Sequence, residues 1–303
     1  GTAETAFGQQ ADMLELNRTT GNLVPGFFKR YAAGANLAFH AAIYQGGFLY
    51  AAGGNTVSSN SRSFQVSCLD APSLLPIWAA EGPLSATQPA RMEARDLIAD
   101  GESIVTVGSG DDQSAQLLNA RVFLQKSTLS GQVIWAKKYD LPGWGGAFAE
   151  EVVRVSDGYV VYGRLPLAVK KRLFLLKTDL NGNPKWAKQI NIGYDNYLQS
   201  LPAQAQMMAS GNALFFAAYA TDISGKPLAL FFKTNLNGDL NGCSSIVPTP
   251  VNSSPIPNPV SNPLGMGLGA SPMLVSETNA DLYVQNILNY EVLCEQKDTV
   301  PSD

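Results

Sequence analysis

The sequence predicts an all-β fold, a β-propeller of four-stranded antiparallel blades, on three observations. The first is a repeat: VFLQKSTLSGQVIW (Val122 to Trp135), LFLLKTDLNGNPKW (Leu173 to Trp186) and ALFFKTNLNGDL (Ala229 to Leu240) overlay one another. Met13 to Leu23 matches more loosely, and a degenerate copy runs from Phe64 to Trp78. The second is the spacing: aligning Leu16, Leu69, Lys126, Lys177 and Lys233 gives a period of roughly 50 to 60 residues, close to the length of a propeller blade. The third is that no long window carries the 3.6-residue apolar period of an amphipathic helix. Strands alternating with crossover helices are thereby excluded.

The segment from Glu150 to Ile190 shows how one blade is made. Glu150 to Val155 is short and β-branched, Ser156 to Gly158 is a turn, and Tyr159 to Gly163 is a second strand. A loop leads to Leu173 to Thr178, and Asp179 to Gly182 turns the chain into Pro184 to Ile190. Four strands joined by Gly, Asn and Asp turns describe one antiparallel blade. Gly46 to Gly53, Gly101 to Gly108 and Gly211 to Tyr219 repeat the second strand, and their small residues are expected to let blades pack closely at the hub. Trp78, Trp135 and Trp186 fall at equivalent places, where a large ring with one N–H can cover the seam between blades and reach a backbone carbonyl.

Residues 1–303 are expected to form this one domain, with four complete blades over 35–246. The N-terminal strands, within 12–31, are expected to be the outer half of a closing blade. A Pro-rich connector, 247–272, would lead to closing strands in 273–296, giving five blades, with six as the alternative. Pairing N-terminal strands with the tail removes exposed sheet edges.

Composition bounds the function. The 303 residues are 45% hydrophobic and 15% charged, which supplies a large core and excludes general disorder. A net charge of -4, without a basic cluster, offers no electrostatic footprint for nucleic acid or an anionic membrane. No apolar run is long enough to span a bilayer as a helix. The chain starts at Gly1 without a methionine or signal-peptide core, as a processed mature form or a fragment would.

Three cysteines lack metal-ligand spacing. Cys68 lies in a strand pattern and is expected to be buried. A Cys243–Cys294 bridge would tie the tail to the last blade; two free thiols are the alternative. His40 is the sole histidine, which excludes any three-histidine metal site, and it lies on an inner strand facing the hub.

Glu93 and Glu150 each precede a turn glycine, Gly101 and Gly158, by eight residues, and so are expected at one height in the hub, with Arg95 beside them. Two carboxylates facing across a funnel are what acid/base cleavage of a glycosidic bond requires. Asp179 to Asn183 and Asn235 to Asp239 resemble the start of a calcium loop but lack its closing glutamate, and are read as tight turns. No cofactor is called for, calcium being the one possible ion; His40 and, in the polar loop after Gly108, Asp111 and Asp112 are candidate ligand contacts. Residues 55–62, 108–117 and 144–147 are expected to be contact loops, with Trp144, flanked by glycines, available to stack on a sugar or a partner side chain.

Gly158 to Gly163 followed by Lys177 to Trp186 resembles the repeat of large secreted bacterial propeller proteins, G-G-Y-x-x-x-G and then L-x-K-T-D-x-x-G-x-x-x-W. The resemblance implies export to the bacterial surface or exterior, in many members by the type IX route, without an assigned activity. In that group a cysteine after the last repeat and a second in the tail are frequent, which Cys243 and Cys294 resemble. Thr19 to Gly21 and Ser130 to Trp135 also resemble the quinoprotein repeat. The quinone enzymes of that group often carry adjacent cysteines, which this chain lacks.

These readings together describe a non-enzymatic, secreted or outer-surface recognition or scaffold propeller. Its partner would be a protein or glycan, met alone or within a larger surface protein or complex. The alternative is a polysaccharide lyase or glycosidase using Glu93, Glu150 and Arg95.

Overall fold

The computed structural model describes residues 2–5, 8–16, 23–32, 36–58, 61–81, 91–111, 120–141, 146–165, 172–190, 198–200, 205–222, 227–239, 246–249, 251–255 and 269–272. Among the described residues every regular element is a strand and none is a helix. Three units repeat one four-stranded antiparallel pattern. The first comprises β4 (Asn36–Gln45), β5 (Phe48–Ser58), β6 (Ser61–Asp70) and β7 (Pro76–Glu81). The second comprises β8 (Arg91–Asp100), β9 (Ser103–Asp111), β10 (Arg121–Thr128) and β11 (Val133–Asp140). The third comprises β12 (Phe148–Val155), β13 (Gly158–Leu165), β14 (Arg172–Thr178) and β15 (Pro184–Ile190).

A fourth unit contains β16 (Leu198–Ser200), β17 (Ala205–Ser210), β18 (Ala213–Asp222) and β19 (Pro227–Asn235), with β18 pairing all three others. At the N-terminus, β1 (Thr2–Thr5), β2 (Gly8–Leu16) and β3 (Leu23–Ala32) form a further antiparallel sheet. The first strands of the first three units lie side by side, β4 against β8 and β8 against β12; β12 then meets β17 of the fourth unit, and β2 meets β4.

The central strands of the second and third units are apolar on both faces because each of these units is sandwiched between two others. In β13, Tyr159 and Val161 pack with Val105, Val107 and Leu124 of the second unit. Their neighbours Val160 and Tyr162 point the opposite way, onto Leu214 and Phe216 of the fourth. A short continuous apolar run is therefore what a strand buried on both sides demands. Tyr50, Val66 and Cys68 meet Leu97, Ile104 and Phe123 in the seam between the first and second units. Cys68 is buried as expected, and its burial pushes the thiol up to about 11. Each such side chain contributes about 1.5–3 kcal/mol on burial.

The tryptophans interlock the units. An added Cβ would lie 3.2 Å from the Trp78 ring at Gly131, 2.8 Å from Trp135 at Gly182 and 2.7 Å from Trp186 at Gly238. Each ring therefore rests on the turn glycine of the following unit. Those glycines have φ of 86°, 73° and 73°, so the turn needs glycine both for its backbone and for its missing side chain. The Trp78 indole donates to the Leu129 carbonyl at 3.3 Å, and the Tyr139 hydroxyl donates to the Gly182 carbonyl at 2.7 Å. The seam role read for the tryptophans is what these contacts perform.

The turns hold themselves. Asp179 Oδ1 accepts from the Asn181 and Asn183 amides, and Asn235 Oδ1 accepts from the Asn237 and Asp239 amides. These are Asx turns, as the sequence suggests. Lys137 then donates to Asn183 at 2.6 Å, and Lys188 pairs with Asp239, so each turn is also gripped by the preceding unit.

Within the segment expected to be a Pro-rich connector, 247–272, the described residues lie mostly in edge strands. Strand β20 (Ile246–Thr249) pairs with β15, β21 (Asn252–Pro255) pairs with β11, and β22 (Gly269–Pro272) pairs with β3. Each adds an outer strand antiparallel to the last strand of a unit. Proline is excluded from central strands because it donates no hydrogen bond, but an edge strand needs only one bonded side. The closing strands expected in 273–296 lie outside the described residues, as do Cys243 and Cys294.

Candidate functional site

Three equivalent bulges build a charged cluster along the inner edge. The register slips between Phe39 and Ala41 in β4, between Ala94 and Asp96 in β8, and between Ala149 and Glu151 in β12. The extra residues are His40, Arg95 and Glu150. A bulge leaves one residue unpaired, bends the strand and re-aims its side chain.

The glycine opposite each bulge explains its own conservation of type along the repeat. A Cβ on Gly53 would stand 1.7 Å from the Ala38 carbonyl oxygen, one on Gly108 2.2 Å from that of Glu93, and one on Gly163 2.2 Å from that of Phe148. These glycines serve the close approach of two strands within a unit. For Gly53, Gly108 and Gly163 the tight contact is within a unit, while Ala52 lies in the seam between the first and second units.

The side chains converge. His40 Nε2 bonds Glu93 Oε1, and Arg95 Nη2 lies 3.2 Å from Glu93 Oε2. Arg164 Nε donates to Glu150 Oε1 at 2.8 Å while its guanidinium lies 4.8 Å from the centre of the Phe148 ring. Burial pushes the Glu150 carboxyl up, opposed by the Arg164 bond and the Arg95 and Arg164 charges and reinforced by Glu93. Glu93, Arg95 and Glu150 therefore feel one another in a single site. Side-chain exposure is 25% for His40, 26% for Arg95 and 30% for Arg164, but 16% for Glu93 and 3% for Glu150. The outward-facing groups are nitrogen donors.

Glu93 and Glu150 are not at equivalent positions. Asp100 pairs with Ser103 across one turn and Val155 with Gly158 across the other, so Gly158 corresponds to Ser103 and not to Gly101. The equivalence that follows is Arg95 with Glu150. Equal spacing to a glycine misleads when the glycine sits on opposite ends of the two turns.

Behind this front lies a second acidic pair. Asp96 Oδ2 accepts from the Val152 amide at 2.9 Å, yet burial outweighs this bond and pushes its carboxyl up to about 6. Burial and then the Asp96 charge push Glu151 up to about 8, against a bond from the Met207 amide. Glu151 Oε2 is buried without a hydrogen-bond partner. Among the described residues no group of three or more His, Cys, Asp or Glu side chains is arranged to hold a metal ion.

Arg154 belongs to a separate clamp on the seam between the second and third units. Its Nε lies 2.9 Å from Asp100 Oδ1, and Lys126 Nζ lies 2.7 Å from Asp100 Oδ2 and 3.2 Å from the Tyr159 hydroxyl. Burial alone would raise the Asp100 carboxyl, but the bonds from Lys126, Tyr159 and Arg154 outweigh it and hold it at about 2. The repeated lysine has the same use in the third unit, where Lys177 lies 2.9 Å from Asp157.

Arg164 is the site residue the sequence reading missed. Its signal was position, directly after Gly163 opposite a bulge. Of the other expected contacts, Asp111 ends β9 with its backbone paired to Arg91, while its side chain, Asp112 and Trp144 lie outside the described residues. The expected loop at 55–62 is mostly hairpin, because β5 and β6 stay paired out to Ser58 and Ser61. No helix among the described residues is long and apolar enough to cross a membrane.

No family model matches the chain. No curated relative matches it either. Among solved structures it is similar to a GH43 endo-arabinanase from Bacillus licheniformis, at 11% identity and a TM-score of 0.25, over 65% of this chain and 94% of that one.

Proposed function

We propose that the chain is a five-bladed β-propeller acting as a non-enzymatic recognition or scaffold domain at the surface or exterior of a bacterium, with the His40, Glu93, Arg95, Glu150 and Arg164 cluster as its contact site for a glycan or protein. The carrying observation is the state of the carboxylates. Both oxygens of Glu93 are engaged, one by His40 and one by Arg95, and Glu150 is buried beneath Arg164. Cleavage of a glycosidic bond needs carboxyl groups on either side of the scissile bond. Here the groups presented outward are binding groups.

Ring closure is supported by the faces of the units. In the first three, the face carrying the repeat tryptophan is covered by the next unit. The same face of the fourth unit exposes Met208, Phe215 and Phe231, the last at 79%. An apolar face of this size calls for a cover, and the N-terminal sheet, which meets β4 on one side, is the unit that follows in the ring.

A second reading, a polysaccharide-active enzyme, has one observation in its favour: Glu150 is raised by burial and shares its site with Glu93 and Arg95. Thermal stabilisation against glycans, calcium and envelope fractions tests the first reading, because a ligand of the folded state raises the melting temperature. Glycan chain length measured before and after incubation tests the second, and loss of shortening in Glu150→Gln would establish it. A scaffold that binds only an envelope fraction would show a shift there and none with glycans.

A further inference from the structure

Resting on that reading of the N-terminal sheet as the fifth unit of a ring, we infer that this sheet is a detachable closing unit. The ring opens on both its sides while the other four units, with the contact site they carry, stay folded. Three features carry this. The first is where the tryptophan locks fall. The chain has four tryptophans, and the three that rest on turn glycines join the first unit to the second, the second to the third and the third to the fourth. The remaining one, Trp144, falls between β11 and β12. Neither 1–32 nor 198–246 contains a tryptophan, so no such ring locks the seams on either side of the N-terminal sheet. The turn of the first unit is also unlike the others. Its Asp70 amide donates to the Leu75 carbonyl as those of Thr128 and Asp179 donate to the carbonyls of Gln132 and Asn183, so Leu74 holds the place of Gly131 and Gly182. Leu74 keeps the left-handed backbone, at φ 54°, but brings a Cβ where those turns have none.

The second feature is the face that the first unit turns away from the second. Gly53, Gly108 and Gly163 pair with Gln65, Phe123 and Phe174. Each phenylalanine packs into the seam with the preceding unit, and Gln65 stands in their place. Gln65 is fully buried; its Nε2 donates to Ser67 Oγ at 3.2 Å, and its Oε1 has no hydrogen-bond partner among the described residues. A buried carbonyl without a donor weakens a seam that a phenylalanine strengthens.

The third feature is the seam on the far side. Met208, Phe215 and Phe231 of the fourth unit are exposed, so this face is not packed as the matching faces of the first three units are. Where each unit touches only its neighbours, the unit flanked by the weakest seams is the first to leave. Its departure leaves the contact site whole, because His40, Glu93, Arg95, Glu150 and Arg164 all belong to the first three units.

The test is hydrogen exchange of the whole chain, read by mass spectrometry at rising guanidinium concentrations below the transition that tryptophan fluorescence reports. All four tryptophans lie outside the N-terminal sheet, so the fluorescence follows the interlocked units alone. The inference predicts that β2 and β3 exchange together, at least about tenfold faster than β9 and β13, and that β22, which pairs with β3, opens with them. Gln65→Leu should slow this opening and Phe231→Asp should speed it, each leaving β13 unchanged. The comparison of strands uses unaltered protein, so a variant that fails to fold leaves the test intact. Exchange of β2 and β3 only in the global transition, or fraying inward from residue 1 that spares β22, would overturn the inference and leave the ring in place. Early joint exchange that Phe231→Asp leaves unaltered would instead overturn the place of the N-terminal sheet beside the fourth unit, the reading on which the inference rests.

Discussion

The ring of Trp135 lies over Gly182 of the following unit, so close that a methyl group on Gly182 would approach it to 2.8 Å. The same pairing joins Trp78 to Gly131 and Trp186 to Gly238. Side chain and turn belong to different units, so each pair acts on the seam and not within a blade.

Gly182→Ala is expected to destabilise the chain by about 1–3 kcal/mol, from a left-handed backbone made to carry a Cβ and from overpacking against the ring. Trp135→Ala should cost about 3–5 kcal/mol by opening a cavity. Chemical denaturation of both single variants and the double checks the coupling. A double variant less damaged than the sum is the expected result, because the clash disappears with the ring.

Stability should fall on both sides of an acidic optimum. Asp96 and Glu151 have folded values raised to about 6 and about 8, so they favour the protonated folded state. Their contribution is complete below the unfolded carboxylate values and is lost as the pH rises through about 6 and then about 8. Asp100 and Asp157 are held at about 2, so theirs is present above the unfolded value and is lost as the pH falls through about 2. Melting temperature against pH should therefore peak near about pH 4 to 5. Glu151→Gln should flatten the alkaline limb and leave the acid limb unchanged.

Asp100→Asn removes the negative charge, and one of the two acceptor oxygens, that Lys126, Arg154 and Tyr159 meet across the seam of the second and third units. A loss of about 1–2 kcal/mol is expected at neutral pH, partial exposure screening the pairs. The same variant should be less sensitive to acid than the unaltered chain. Thermal melts at neutral and strongly acid pH decide this.

Deleting 246–255 would strip the outer strands from β15 and β11 and leave two open edges. Open edges recruit other chains. Light scattering should show concentration-dependent association that the intact chain lacks, while the unit seams, against which Val251 of this segment packs, keep most of the stability.

Much of this was legible in the chain. The tryptophan seam, the Asx turns at Asp179 and Asn235 and the burial of Cys68 follow from residue type and spacing. His40, Glu93 and Arg95, singled out in the sequence, are brought together with Glu150 on the first strands of adjacent units. What the sequence hid was register. A bulge adds one residue without a mark of its own, so Glu150 aligned with Glu93 when its true equivalent is Arg95. Arg164 escaped because an arginine after a strand glycine reads as a solvated charge until the bulge opposite it is seen. The outer strands at 246–255 were obscured by prolines, which forbid a central strand but permit an edge.

The most direct measurement is thermal stabilisation of the intact chain against glycans and envelope fractions, run beside chromatography of each glycan before and after incubation. The account predicts a rise in melting temperature with a glycan or an envelope fraction, weakened in Arg95→Gln, and no change in any glycan's length. Shortened glycan with the unaltered chain and intact glycan with Glu150→Gln would contradict it, and would make the inner edge an active site.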